Sequence, residues 1–192
     1  MAHLVIDIGN SRTKFATFYK GKLEESGTID RLDTAQLNLL LENHKITHSI
    51  ISSVNDEISK LEDILKDRTK YIRFSSSVKA GVINKYKSPE TLGLDRFAGV
   101  IGAKSLFPDT NCLVIDAGTC ITYDAVDAAG IYEGGSISPG LKMRLKAMHK
   151  FTGRLPEVEF SNYPDWRGYD TQSAMLSGVL NSDIAIQVNI NI

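Results

Sequence analysis

Leu113-Val114-Ile115-Asp116-Ala117-Gly118-Thr119 is the second statement of a pattern set out near the amino terminus as Leu4-Val5-Ile6-Asp7-Ile8-Gly9-Asn10. In both, a short apolar run ends on one aspartate, followed after one residue by glycine and a small polar side chain. The echo continues past the turn, where Gly130 stands at the offset of Gly21 and Glu133 at that of Glu24. A repeat constrains the whole chain. Two copies are too few for a solenoid, and they suit a duplicated domain with a site between its halves.

Outward from each copy, the pattern predicts the same elements. Leu4 to Ile8 is a short β-branched run stopped by Gly9-Asn10, and reads as a buried strand. Arg12 to Tyr19 alternates, Lys20-Gly21 suits a hairpin turn, and Lys22 to Ile29 makes a third strand. Asp33 is a helix cap before Leu37, Leu40 and Leu41, whose spacing gives one apolar face. A strand over Ser49–Val54, a helix over Ile58, Leu61, Ile64 and Leu65, and a strand over Tyr71–Phe74 complete an α/β unit. Residues 75–92 form a polar connection of the kind that carries function. A helix is expected from Leu94 to Leu106. Strands follow at Asn111–Asp116, Ile121–Val126 and Ile131–Ser136, then a helix opened by Pro139-Gly140. Residues 153–170 read as loop and Thr171–Leu180 as a helix. From Ser182 onward, Ile184, Ile186, Val188, Ile190 and Ile192 alternate with other residues, which predicts a strand. The domain division expected is 1–92 and 93–192, the second half shortened at its carboxyl end.

Bulk composition narrows the function classes. The chain has 192 residues, 42% apolar side chains and a net charge of -1, which supplies cores but no footprint for nucleic acid or an anionic membrane. The start, Met1-Ala2-His3-Leu4, has no basic region, and no apolar run approaches the ~20 residues of a membrane span. Cys112 and Cys120 are too few for a disulfide framework or a zinc site. A cytoplasmic protein is the expectation.

A strand ending in Asp-x-Gly before an antiparallel partner makes a tight turn. Glycine admits a ligand close to the backbone, and successive amides can point at phosphate oxygens. The aspartate can hold a cation that screens phosphate charge, or a water on that cation. Asn10, Ser11, Thr13 and Lys14 add polar and charged groups to the first turn, and Thr119 and Thr122 add hydroxyls to the second. Either turn by itself reads as a plain hairpin. Two in matching contexts point to a clamp on a nucleotide's phosphates, and so to phosphoryl transfer.

Five segments, in order, carry a family resemblance. Asp7-Ile8-Gly9-Asn10-Ser11-Arg12-Thr13-Lys14 resembles the first phosphate motif of type III pantothenate kinases, and Asp116 to Asp124 their second. Tyr86 to Arg96, with its Gly93-Leu94-Asp95-Arg96 core, resembles the family's pantothenate motif. Gly134 to Gly140 and Thr171 to Gly178 also follow the family pattern. The resemblance covers about Leu4 to Asn181. It implies a duplicated ribonuclease-H-like α/β fold, the actin-like ATPase fold shared with sugar kinases and heat-shock chaperones. It further implies ATP-dependent phosphorylation of pantothenate, with Mg2+ on the nucleotide and a monovalent cation, K+ or NH4+. The homodimer it implies places the substrate pocket at the subunit interface.

By the same resemblance Asp95 is the general base, although on position alone a helix cap, with Gly93 setting the turn, is the favoured reading. Arg96 binds the pantothenate carboxylate by its planar fork, and Tyr86, Gly93 and Leu94 line the substrate. Thr171 reaches pantothenate from the partner subunit, though its position also suits a cap. Asp7, Ile8, Gly9, Asn10, Ser11, Arg12, Thr13 and Lys14 form one ATP loop, and Thr119 contacts ATP from the other. Asp116 matches the monovalent-cation ligand, and the residues themselves do not separate a potassium role from a magnesium one.

Other signals are weaker. His44 and His48 have i,i+4 spacing, but Ile46-Thr47 between them reads as loop, against a metal pair. Lys142, Arg144, Lys146, Lys150 and Arg154 read as a solvated helix face. Trp166 suits a ligand platform or loop packing equally. Two rival functions remain. One is a nucleotide-binding accessory or regulatory protein without turnover. The other is a conformational ATPase of the actin and chaperone type, which needs no segment like Tyr86–Arg96. After Asn181 the family continues with further helices, so weaker nucleotide binding, extending to an inactive enzyme, is the expectation for this shortened form.

Overall fold

The computed structural model describes residues 1–9, 12–53 and 58–188, and side-chain surroundings as far as residue 181. The chain divides into two compact units, Met1–Ile101 and Gly102–Ile192.

The first unit is built on a five-stranded sheet. Strands β1 (Ala2–Ile8), β2 (Thr13–Tyr19), β3 (Lys22–Ile29), β4 (Ile46–Ser53) and β5 (Lys70–Arg73) lie in the order β3-β2-β1-β4-β5. β1, β2 and β3 form an antiparallel meander, while β4 lies parallel to β1 and β5 parallel to β4. The period-two pattern of β1 buries Leu4, Ile6 and Ile8 on one face. Against them pack Leu37 and Leu41 of α1 (Thr34–Asn43) and Leu61 and Leu65 of α2 (Ser59–Arg68). Asp33 caps α1 as expected: its carboxylate accepts from the Gln36 amide at 2.7 Å, and the Gln36 side chain accepts from the Asp33 amide at 3.1 Å. Ile46-Thr47, expected as loop, begins β4, because Ile46 is apolar enough to enter the core at 7% exposure. Val54 lies outside the described residues.

The polar connection holds only a two-residue strand, β6 (Ile83–Asn84), and a single 3-10 turn (Pro89–Thr91) before α3 (Leu94–Leu106). Phe97 of α3 stacks on Phe74 with ring centroids 6.1 Å apart. That contact places the start of α3 with the first unit. By compactness the division of the chain lies within α3, between Ile101 and Gly102.

In the second unit, β7 (Cys112–Ala117), β8 (Cys120–Val126) and β9 (Ile131–Pro139) form another antiparallel meander. Each meander has a left-handed glycine at the tip of its second hairpin, Gly21 at φ 79° and Gly130 at φ 80°. α4 (Leu141–Phe151) and α5 (Thr171–Val188) then pack through Leu145, Met175, Leu176 and Val179. The strand expected around Ile184, Ile186 and Val188 is instead the last part of α5. Once a helix is capped and anchored, each further residue adds one hydrogen bond, and no Pro or Gly interrupts 179–188. Ile190 and Ile192 lie outside the described residues. No described helix is long and apolar enough to cross a membrane.

Candidate active site

Asp7 sits at the carboxyl end of β1, directly across the ladder from Lys14 and beside Ser52 of β4. Cross-strand partners point to the same sheet face, so the acid and the ammonium share one surface. Ile8 and Thr13 are paired too, but on the buried face, at 9% and 3% exposure. Their side chains belong to the core, and any ligand contact from them falls to the backbone. The Gly9 amide donates to the Arg12 carbonyl at 3.1 Å and closes the turn. Arg12 is exposed, with its guanidinium 4.0 Å from the Asp30 carboxylate. Asn10 and Ser11 lie outside the described residues.

The second turn is one residue tighter. The Gly118 amide donates to the Cys120 carbonyl at 2.9 Å, and Thr119 is exposed at the tip. Asp116, exposed on β7, faces Thr122 rather than a lysine. Two close approaches explain the glycines that follow. A Cβ on Gly135 would collide with the Tyr123 carbonyl oxygen and meet Asp124, and one on Gly140 would collide with the Gly118 and Thr119 carbonyls. The Gly140 amide also donates to the Thr119 carbonyl at 3.0 Å, so the start of α4 braces the turn. Asp124 is buried and accepts from the Tyr132 hydroxyl at 2.8 Å.

Within the first unit, the segment ending in Asp95 and Arg96 has a defined geometry. Leu94 opens α3, so Asp95 lies in the first turn and not at the cap. Its carboxylate is exposed and accepts from the Arg96 amide at 2.8 Å. Negative charge there is favoured by the helix dipole by roughly 0.3–1 kcal/mol. Gly93 lets the backbone pass close by: a Cβ there would stand 2.6 Å from the Asp95 carboxylate oxygen. Arg96 is no surface ion pair. It is 7% exposed, and its guanidinium carbon lies 5.6 Å from the centre of the Tyr86 ring. Tyr86 is half-buried, and its amide donates to Asn84 Oδ1 at 3.0 Å. The structure thus brings Tyr86 and Arg96 together across the connecting segment, with Asp95 beside them in sequence.

Thr171 is the first, exposed residue of α5. The cap is Asp170, whose carboxylate accepts from the Ser173 amide at 2.8 Å. That amide, then the Ser173 hydroxyl, hold the Asp170 carboxyl below its usual range. Ser177 Oγ donates to the Trp166 carbonyl at 2.6 Å, and Asn181 Nδ2 reaches the same oxygen at 3.3 Å. The Trp166 backbone thus anchors the loop to α5, while the residue is 73% exposed with the Arg167 guanidinium over its ring.

Of the signals set aside, His44 Nε2 lies 2.8 Å from Glu25 and His48 bonds Thr47 at 2.9 Å, so the pair shares no metal geometry. Among the described residues no group of three or more His, Cys, Asp or Glu side chains is placed to hold a metal. Lys142 and Lys146, read from sequence as a solvated face, line a cavity of ≈ 710 Å3 that begins at Ala117, Gly118 and Thr119. Their i,i+4 spacing was the available signal, and proximity to the turn could not be read from it.

A family model described as type III pantothenate kinase matches residues 3–189. A type III pantothenate kinase from Phocaeicola vulgatus is 42% identical over 182 residues, covering 93% of this chain and 74% of the relative. One from Bacteroides fragilis is 42% identical over 178 residues, covering 92% and 73%. Among solved structures, a Baf family transcriptional activator from Campylobacter jejuni superposes with a TM-score of 0.55 at 24% identity, over 97% of this chain and 78% of that one. That likeness concerns the fold.

Proposed function

The chain belongs to the type III pantothenate kinase family, and we propose that it performs the family's reaction with Asp95 as the general base. The reaction is the ATP-dependent phosphorylation of pantothenate, the first step toward coenzyme A. The observation that carries the assignment of roles is the Tyr86–Arg96 pair, a buried guanidinium stacked on a ring, with an exposed carboxylate one residue away.

In this reading Arg96 takes the pantothenate carboxylate through its planar fork, held in direction by Tyr86. Gly93 and Leu94 line the substrate with backbone. The Asp95 carboxylate accepts the proton of the primary hydroxyl as its oxygen attacks the γ-phosphorus of ATP. The phosphorus–oxygen bond to ADP breaks, and 4′-phosphopantothenate leaves. A positioned base contributes ~10²–10⁴ in rate, and orientation and charge neutralisation supply most of the remainder.

The residues from Asp7 to Lys14 and Thr119 are the phosphate loops. Lys14 stands across the ladder from Asp7 as a counter-charge, whereas Thr122 stands across from Asp116. That difference supports Asp116 as the ligand of the monovalent cation and Asp7 as the acid nearer the nucleotide's Mg2+. Mg2+ would neutralise charge on the transferring phosphoryl group. The two meanders, with their matched glycines, support a duplicated actin-like fold. We also infer a cytoplasmic homodimer in which Thr171 of one subunit reaches the other's pantothenate.

A coupled ADP-release assay tests the reading, with pantothenate, with control alcohols, and with K+ replaced by Na+. Pantothenate-dependent, K+-dependent ADP release is expected. ATP loss without pantothenate would indicate a conformational ATPase, and nucleotide binding without turnover a regulator.

A further inference from the structure

We propose that Lys142 and Lys146, with Leu141, Met143 and Phe160, form a nucleotide pocket: the ammonium groups hold phosphates of ATP and the apolar wall holds its base. The inference rests on the kinase reading and adds to it side chains that lie outside the phosphate loops.

The cavity measures ≈ 710 Å3, within the ~300–1,000 Å3 typical of small-molecule sites. Thr119 lies at its turn end, and the lysines come from the helix that braces that turn through Gly140. Residues four apart on a helix share a face, so both ammonium groups reach one side of the cavity. Their charges are uncommitted. Neither forms an ion pair among the described residues, although Lys66, Arg68 and Arg73 each find a carboxylate. Arg144, between them in sequence, turns away to donate to the Pro139 carbonyl and Ser138 hydroxyl. Of the basic residues over 142–146, Arg144 is therefore structural, while Lys142 and Lys146 line the cavity and form no ion pair among the described residues.

The wall has the opposite character. Met143 and Phe160 are each 38% exposed, and with Leu141 they offer a ring, a thioether and a branched chain to a planar group. Two point charges beside an apolar surface suit a ligand with a polyanionic end and a flat end, which is the chemistry of a nucleoside triphosphate.

The test pairs steady-state kinetics with binding of mant-ATP, followed by fluorescence. In a Lys142→Gln, Lys146→Gln double variant, KM for ATP and Kd for mant-ATP should rise at least about tenfold, as expected for loss of charge-assisted contacts. KM for pantothenate and the circular dichroism spectrum should stay as in the parent. Lys150→Gln, outside the cavity, should change nothing. Phe160→Ala should weaken mant-ATP while leaving competition by inorganic triphosphate intact. Unchanged mant-ATP binding in the double variant would overturn the proposal, as would a parent chain that binds no mant-ATP. A parent that binds mant-ATP through the lysines without phosphorylating pantothenate would uphold the pocket and remove the kinase reading.

Discussion

Glu24 and Glu133 hold the same place in two meanders: each is the single residue passed over in the ladder. In the first unit Thr17 faces Glu25 and Phe18 faces Leu23, and in the second Ala125 faces Gly134 and Val126 faces Tyr132. A residue skipped in this way bends its strand and sharpens the local twist. The two third strands are therefore deformed at the same point, next to hairpin glycines with nearly equal positive φ.

That equivalence predicts matched costs. Gly21→Ala and Gly130→Ala should each lower stability by ~1–2 kcal/mol, the penalty of an L side chain in the left-handed region. Urea midpoints measure it, and a loss confined to one variant would break the equivalence.

Asp95→Asn should reduce kcat by about 10²–10⁴ with little change in KM for pantothenate. The fold should persist, since the first-turn charge is worth only a fraction of a kcal/mol at a surface. Near-normal turnover would remove Asp95 as the base.

Arg96→Lys should raise KM for pantothenate by at least about tenfold, because a lysine keeps the charge but not the fork or the stacking on Tyr86. Pantothenol, which lacks the carboxylate, should lose its disadvantage against pantothenate in this variant. Comparison of kcat/KM for the two substrates reads the effect.

Gly140→Ala should disturb the second phosphate turn, since its methyl would collide with the Gly118 and Thr119 carbonyls. The forced backbone shift should cost about 1–3 kcal/mol in stability and raise KM for ATP more than KM for pantothenate. An unchanged KM for ATP would mean the turn does not hold nucleotide.

Glu62 should make stability depend on pH from both ends. It accepts from the Tyr71 hydroxyl at 2.6 Å and from Arg73 at 2.7 Å, and these bonds hold its carboxyl below the usual range. A lowered acid contributes fully above its unfolded value, and the contribution fades as pH falls through the folded one. Burial, then Glu62, raise Tyr71, whose contribution is complete below about pH 10 and fades above it as pH rises through the raised folded value. Glu62→Gln should cost roughly 1–3 kcal/mol at pH 7, and its gap from the parent should narrow by pH 3. Urea titrations at both pH values check the sign.

The sequence revealed elements wherever local chemistry was sufficient. The Asp33 cap, the alternation of β1 and the start of α3 at Leu94 depend on neighbours within a few residues, and all were legible. The strand assigned around Ile184–Val188 was not, because period-two apolar spacing fits an extended chain until an anchored helix runs through it. Thr171 was read as a cap when Asp170 holds that role, a shift of one residue that only the hydrogen bond to Ser173 settles.

The candidate site divides in the same way. Its residue types stood in order along the chain, because phosphate turns and the Gly93–Arg96 segment are short and contiguous. Tertiary structure alone brought Tyr86 over Arg96, buried Thr13 and Ile8, pressed Gly140 against the Thr119 turn and set Lys142 and Lys146 beside it. Those relationships join residues across loops and helices, where the packing of side chains, and not their spacing in sequence, determines which groups meet.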